Sequence, residues 1–347
     1  MNEELGAACA LEDPGSERSL EKRLLNDYQR DFPLVADPWG QLAAETGVSR
    51  RRILNSLRAL KERGMISRVG PVFTPGSIGC STLVSMVVPP ARLTEVGRQI
   101  SGRESVNHNY ERFHKRNLWF VMSAADDKAL QRDLTEMQEL TGLQPLRHDL
   151  VESFHIDLGF PIDFGDRQRE LQEVRPAGNG GRNRVAPVSL TGLEKDLLRK
   201  VQRGLPLRED PYGELGRDLG LSAPGVIAIL RRWIKRRIIK RHGVVVRHKE
   251  LGYSANAMVV FHLDPEQIRP VGEAMARLPF ITLCYQRRPG SDWPFNLFCM
   301  IHGTSAKKVH QQATGMIHGL GLHDVEYALL FSGRRFKQRG AVYAGSR

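Results

Sequence analysis

One stretch of the chain is written twice. LEKRLLNDYQRDFPLVADPWGQLAAETGVS, beginning at Leu20, returns as LEKDLLRKVQRGLPLREDPYGELGRDLGLS, beginning at Leu193. The offset of 173 residues holds without a gap through Gly79 and its partner Gly252. DPWG at Asp37–Gly40 faces DPYG at Asp210–Gly213, and Leu42, Gly47 and Ser49 recur as Leu215, Gly220 and Ser222. A register held that long marks a tandem duplication, so the fold must be a unit that can be built twice. Between the copies lies PAGNGGRNRVAP, Pro176–Pro187, rich in Gly, Pro and Asn and without apolar periodicity. This composition predicts a flexible linker, placed at 166–189.

Each copy divides again. Its first part has apolar residues at helical spacing: Leu20, Leu24, Leu25 and Tyr28, then Leu42, then Ile53, Leu57 and Leu60. Ser49 stands where the third helix needs an N-cap, and Gly47 lies in the short turn before it. This is the outline of a helix-turn-helix. MISRVGPVFT and IIKRHGVVVRH each resemble the two short strands of a wing. Winged helix-turn-helix units are therefore expected at 18–75 and 190–249. Arg50, Arg51 and Arg52 fit a solvated helix face as well as phosphate contact.

The second part reads βαββαβ, the order of a ferredoxin-like α+β sandwich. In copy one the strands are expected near Ser81–Val88, Ser105–Arg112, Asn117–Ala124 and Leu143–Leu158, with helices near Ala91–Ile100 and Lys128–Leu140. In copy two the strands are expected near Ser254–Leu263, Ile281–Arg287, Phe295–His302 and Leu322–Phe331. Alternation supports these readings, as in Leu118, Phe120 and Met122 against Trp119, Val121 and Ser123. The ferredoxin-like domains span 79–165 and 252–343. The fold class is thus α+β, a tandem duplication of winged helix-turn-helix plus ferredoxin-like domain.

At 347 residues, with 41% hydrophobic and 26% charged residues, the chain has the composition of a soluble multidomain protein. No apolar run approaches the ~18 residues of a membrane helix, and the acidic N-terminus lacks the layout of a signal peptide. Cys9, Cys80, Cys284 and Cys299 form no CxxC pair, so neither a disulfide framework nor a zinc ribbon is indicated. A reducing cytoplasm is the expected compartment. The net charge of +12 favours a polyanionic partner: nucleic acid, anionic lipid or a ligand with many carboxylates.

The densest chemistry lies in HNYERFHKRNLWFVMSA, His108–Ala124. A strand over this segment puts His108, Tyr110 and Arg112 on one face, with Asn109 and Glu111 opposite. His114 falls at the following turn, beside Lys115 and Arg116. A His-x5-His pair is a poor zinc signature, and no structural metal is expected. In copy two, Tyr285 and Arg287 match Tyr110 and Arg112, but Leu283 stands opposite His108. A loop longer by four residues, with Pro289, Gly290 and Pro294, replaces the turn around His114. A duplicated fold that needed the histidines for folding would keep them, so one half is expected to be chemically active and the other mainly binding.

A winged helix-turn-helix followed by a ferredoxin-like domain resembles the Lrp/AsnC regulators, and fold alone does not fix function. Three segments resemble the sirohaem decarboxylases more narrowly: NHNYERFHKRNLWFV, LCYQRRPGSDWPFNLFCMIHG and LLFSGRRFKQRGAVY. The resemblance covers about Ser19 to Tyr343, and the chain looks like both subunit types of that family joined head to tail. It implies removal of CO2 from two acetate side chains of sirohaem, giving didecarboxysirohaem for haem d1 or an alternative haem route. It also implies His108 and His114 as proton donors, with Tyr110 orienting one of them or donating through its hydroxyl. Histidine titrates near ~6.5, which suits protonation of a pyrrole ring and then of the nascent methyl group. The substrate's carboxylates would be held by Arg112, Lys115, Arg116, Arg287, Arg288, Arg334, Arg335 and Lys337. Tyr285 and Trp293 would line the site. Trp119, Phe295 and Phe298 are further candidates to flank the macrocycle. Either histidine is a candidate ligand of the substrate iron, and no cofactor beyond the iron-containing substrate is implied. The two halves are expected to pair as a pseudo-dimer, with scope for further oligomers or related subunits. Two other readings stand beside this one: an Lrp-type DNA-binding regulator and a non-catalytic tetrapyrrole sensor. Against the regulator, APGVIAILRRWIKRR after Ser222 opens with nothing suited to a base edge, so DNA binding is not expected.

Overall fold

The computed structural model describes residues 17–156, 188–247, 255–290 and 292–343. Nearly all of the expected linker lies outside these residues, as do Leu158 and Ser254 at the ends of two expected strands. Copy one runs α1 (Glu17–Asn26), α2 (Pro38–Thr46), α3 (Arg50–Glu62), β1 (Ile66–Phe73), β2 (Cys80–Met86), α4 (Leu93–Gly102), β3 (Val106–Arg112), β4 (Leu118–Ala124), α5 (Asp127–Thr141), β5 (Leu146–His148) and β6 (Leu150–Ile156). Copy two runs α6 (Gly192–Val201), α7 (Pro211–Gly216), α8 (Ala223–Lys235), β7 (Ile239–Val246), β8 (Ala255–Phe261), α9 (Pro265–Ala276), β9 (Ile281–Arg287), β10 (Leu297–Gly303), α10 (Ala306–Gly319) and β11 (Tyr327–Gln338).

The repeated DPWG and DPYG motifs are helix starts. Asp37 and Asp210 accept the amides of Gly40 and Gly213, each at 2.9 Å, while Pro38 and Pro211 open the helices. A side chain at either glycine would collide with the capping carboxylate. Ser49 sits at the N-cap of α3 but makes no side-chain cap, whereas Ser222 accepts the Gly225 amide at 3.3 Å.

The wing differs from expectation. Each copy supplies one strand of the ribbon, and β1 pairs antiparallel with β7 of the other copy. A lone strand leaves a row of unpaired backbone groups, and the matching strand of the other copy satisfies them. Gly70 faces Gly243, its own counterpart in the repeat, so a pseudo-two-fold axis passes through that pair. The helices obey the same axis. Arg58 on α3 donates to the Leu207 carbonyl at 2.7 Å, and its counterpart Arg231 on α8 donates to the Leu34 carbonyl at 2.8 Å. One apolar core, including Leu24, Trp39, Leu57, Leu197, Tyr212 and Trp233, runs through both units.

The ferredoxin-like domains also merge. Nine strands form one sheet in the order β5-β2-β4-β3-β11-β8-β10-β9-β6. Its outermost strands, β5 and β6, are separated in the chain by Asp149 alone, so the sheet closes on itself. The expected single strand at Leu143–Leu158 is thus two strands: β5 stays on its own copy's β2, and β6 crosses to β9. The expected last strand, Leu322–Phe331, lies later, at Tyr327–Gln338. Its first half pairs with β8 and its second half crosses to β3. Each copy therefore donates the end of its last strand to the other.

Two arginines hold the crossings. Arg112 donates to the Leu330 carbonyl at 3.2 Å, to Ser332 Oγ at 2.6 Å and to Asn256 Oδ1 at 3.1 Å. Arg287 donates to the His148 carbonyl at 2.7 Å. Leu330 faces Met258 as His148 faces Leu83, so the two contacts are pseudo-symmetric. Helices cover the outer faces over separate cores, one with Val96, Phe120 and Leu130, the other with Val259, Cys299 and Val309. The inner faces share a third core containing Trp119, Val260, Trp293, Phe298 and Leu330.

Separately produced residues 17–156 and 188–343 would each expose the edge that the other copy fills. Each half alone is expected to aggregate, and co-refolded halves are expected to elute together in size-exclusion chromatography. Stable, monomeric single halves would contradict the exchange.

Candidate active site

β3 presents His108, Tyr110 and Arg112 toward the inner face, as its alternation requires. The His108 and Tyr110 rings stack at 6.4 Å with planes 13° apart, and the Arg112 guanidinium lies 5.9 Å from the Tyr110 ring centre. Asn109 points the other way and donates to the Gly97 carbonyl of α4 at 3.0 Å. Burial, and then the positive field of Arg68, pulls the His108 imidazole down to about 4. It is therefore neutral at pH 7 in the unliganded protein. Burial also raises the Tyr110 hydroxyl above its ordinary range.

His114 occupies a different neighbourhood. Its Nδ1 accepts the Arg116 amide at 3.1 Å, which places the proton of the neutral ring on Nε2. Its ring meets Trp293 edge-on at 5.4 Å. Burial, with Arg116 and Lys115 nearby, keeps His114 below the usual histidine range. Arg116 is buried, paired with Asp292 and 3.4 Å from Ser85 Oγ, while Lys115 is exposed. His108 meets Tyr110, whereas His114 meets Trp293 and Arg116. They stand at opposite ends of β3, about 20 Å of extended chain apart at most.

Behind His114 lies a third histidine that strand periodicity did not single out. His148 is fully buried, stacked on Trp119 at 5.0 Å, with Nε2 2.7 Å from Ser85 Oγ and Nδ1 without a partner among the described residues. Its copy-two counterpart is Leu330. Carrying the comparison of the copies through the last strand would have exposed this second His/Leu asymmetry, but the longer copy-two hairpin breaks the constant offset. Arg68 and Arg247 were missed for another reason: they lie on the ribbon, remote from β3 in sequence.

The expected arginines separate by face. Arg335 pairs in register with Tyr110. Arg334 lies on the helix side, paired with Glu111 at 2.7 Å and Thr94 at 2.6 Å. Lys337 donates to the carbonyls of Ser101 and Arg103 at the end of α4, and burial brings it down to about 8. The structure thus brings neither Arg334 nor Lys337 to His108. Both lie on a strand rather than a basic tail. Arg112 and Arg287 are engaged in holding the strand crossings. Arg287 also stacks over Tyr285, 5.0 Å from its ring centre. Arg288 is exposed, its amide bonded to the Asp149 carbonyl at 2.9 Å. Trp293 is 2% exposed and belongs to the core between the sheet faces, with Trp119, Phe295 and Phe298. Open hollows of about 520 Å3 along α5 and about 420 Å3 beside α6 lie on helix surfaces, away from all three histidines.

Among the described residues, no group of three His, Cys, Asp or Glu side chains could hold a metal, and no helix is long and apolar enough to cross a membrane. Arg50 is paired with Asp37 and Arg52 with Glu17 at 3.3 Å, while Arg58 of the same helix is spent between copies.

The fold defines a duplicated protein of the AsnC type, a helix-turn-helix joined to an AsnC-like ligand-binding domain in each copy. The family model described as "AsnC-like ligand binding domain" matches residues 77–153 and 250–337. The model described as "Siroheme decarboxylase NirDL-like HTH domain" matches 21–66 and 194–240. The siroheme decarboxylase NirDL subunit of Paracoccus denitrificans is 39% identical over 94% of this chain and 97% of its own. The siroheme decarboxylase NirD subunit of Pseudomonas aeruginosa is 44% identical over 42% of this chain and 96% of its own. A crystal structure of siroheme decarboxylase NirDL in complex with an iron-uroporphyrin III analogue superposes with a TM-score of 0.67 at 26% identity, covering 95% of each chain. The chain belongs to the siroheme decarboxylase family, with both halves in one polypeptide.

His148 carries a pH signature. Burial, followed by the fields of Arg287 and Arg116, pushes it down to about 3. Its folded form stays neutral while the unfolded form gains a proton below ~6.5, so stability falls as pH drops from there toward 3. At pH 5 this one residue lowers stability by about 2 kcal/mol relative to pH 7. His148→Leu, which copies Leu330, is expected to flatten that part of the profile in urea titrations at pH 7 and 5. An unchanged slope would show that His148 does not titrate this way.

Proposed function

We propose that this chain decarboxylates sirohaem at two acetate side chains, yielding didecarboxysirohaem, with the chemistry carried by copy one. The observation that carries this reading is the one-sided histidine set: His108 stacked on Tyr110 among arginines, where the copy-two face has Leu283 beside Tyr285. Relatives named siroheme decarboxylase, 39% identical over nearly the whole chain, support the substrate.

Losing CO2 from a pyrrole acetate leaves an electron pair on the methylene carbon. Protonating the ring first gives that pair a place to go, and a proton delivered to the exocyclic carbon while the ring proton leaves completes the methyl group. Each CO2 released thus takes up one proton. His108 is the proton donor in this scheme, with Tyr110 stacked on it to fix the ring. In the free protein burial, and then the field of Arg68, holds it neutral. Substrate carboxylates neutralise the Arg68 guanidinium, which raises the imidazole toward the range where it can carry a proton to the ring. His114, with Nε2–H directed away from the Arg116 amide, is the second donor. The two positions match a substrate with two reacting side chains. Pairing of the halves makes the chain its own dimer, and further copies or related subunits could still associate with it.

Anaerobic incubation with sirohaem, followed by mass spectrometry, is expected to give a product lighter by two carbon dioxides. His108→Ala and His114→Ala should each lower turnover on the order of 100-fold or more while leaving the melting temperature near wild type. Undiminished turnover in both variants would remove the assignment, and unchanged sirohaem with wild-type protein would remove the activity.

A further inference from the structure

The β1–β7 ribbon belongs to the helix-turn-helix units, yet the fields of Arg68 on β1 and of Arg247 just after β7 are felt on the histidine face of β3. Arg68, on β1, is half-buried. Its Nη2 donates to the Pro71 carbonyl at 3.1 Å, and its Nε is buried without a hydrogen-bond partner. The guanidinium lies against Gly340, where any side chain would collide with it. Gly340 is two residues after Gln338, the register partner of His108, and between them the Arg339 amide donates to the Asn107 carbonyl at 2.8 Å. Arg68 therefore stands in a corner closed by the ribbon, the start of β3 and the C-terminal segment. Arg247 follows β7 and is anchored through its amide to the Met65 carbonyl at 2.8 Å. Its Nε is likewise buried and unpartnered, and no ion pair involves either guanidinium among the described residues.

The charges around this face are all of one sign. Arg68 acts on His108, while Arg112, Arg335 and Arg247 act on Tyr110, and no carboxylate is among them. Arg68 and Arg247, half-buried and without an ion-pair partner among the described residues, are the two of these that an arriving anion would satisfy. The repeat provides an internal control. Arg241, the counterpart of Arg68, is tied to the Gln29 carbonyl at 2.7 Å, and the counterpart of Arg247 is Thr74. Arg68 and Arg241 thus take different carbonyl partners, and the position of Arg247 carries no arginine in the other copy.

We propose that Arg68 and Arg247 bind carboxylates of the tetrapyrrole, so that the ribbon between the helix-turn-helix units forms one wall of the active site. The proposal rests on the functional reading above and adds to it. It gives the helix-turn-helix pair a role in holding substrate: a module whose arginines in a regulator would meet phosphates here meets carboxylates.

The test uses the full chain and two probes, iron-uroporphyrin III, which carries eight carboxylates, and iron-protoporphyrin IX, which carries two. Absorbance titrations compare wild type with R68M, R68K and R247M. Each methionine variant is expected to weaken iron-uroporphyrin binding roughly tenfold or more, with a shallower salt dependence. R68K should recover part of the loss. Iron-protoporphyrin affinity should change much less, and KM for sirohaem should rise more than kcat falls. R247M removes no hydrogen bond, so it tests the idea even if R68M folds poorly. Wild-type-like iron-uroporphyrin affinity in R247M and R68M would overturn this inference alone, provided wild type binds the probe and turns over sirohaem. Wild type that neither binds nor reacts would overturn it together with the functional reading.

Discussion

The contact on which the architecture depends is the exchange of last strands, held by one buried arginine from each side. Arg112 reaches the Leu330 carbonyl and Arg287 the His148 carbonyl, at the points where β11 and the β5–β6 segment leave their own sheets. A backbone carbonyl at such a crossing cannot be satisfied by a regular ladder, and a guanidinium supplies several donors in one rigid plane. Burial lowers both arginines to about 10, which leaves them charged at neutral pH. The tyrosines beneath them, Tyr110 and Tyr285, offer ring faces that soften the desolvation. What repeats between the copies, tyrosine followed by arginine, is therefore in the first place a structural joint, with any carboxylate contact added to it.

Once the joint is symmetric, the chemistry can be asymmetric. His108 and His148 of copy one face Leu283 and Leu330 of copy two, while Arg68 and Arg241, equivalent in the repeat, have different partners. The pseudo-two-fold axis keeps both halves folding alike, while copy one carries buried neutral imidazoles. Copy two has aliphatic residues at the same places. Fusing the halves guarantees that each copy meets the one that completes its sheet.

The helix-turn-helix units are joined to each other as well as to the sheets. Arg58 and Arg231, on the helices that would read DNA, hold the opposite copy's loops. Their strands form the ribbon between copies, over a shared apolar core.

Much was legible without coordinates. The duplication, the helix-turn-helix and βαββαβ orders, and the placing of His108, Tyr110 and Arg112 on one face all follow from local rules, because helix and strand periods are written in neighbouring residues. Asp37 and Asp210 even announce their helix starts. The wing misled because strand propensity says that Ile66–Phe73 extends but not which strand it pairs with. The same holds for Leu143–Leu158, whose split at Asp149 depends on two different sheets competing for its edges. Trp293, by sequence a candidate for the macrocycle's flank or for the core, lies in the core, since burial depends on the inner faces meeting. Arg334 and Lys337, candidate carboxylate binders or a basic tail by sequence, lie on a strand and bond to Glu111 and to the end of α4, since β11 is irregular where it meets β3. The chain's own order determined what is repeated and which residues share a strand face. Tertiary structure alone decided which copy completes which sheet, and which arginines stand beside a histidine, as Arg287 of one copy does beside His148 of the other, because those facts depend on backbone groups finding partners across the pseudo-two-fold axis.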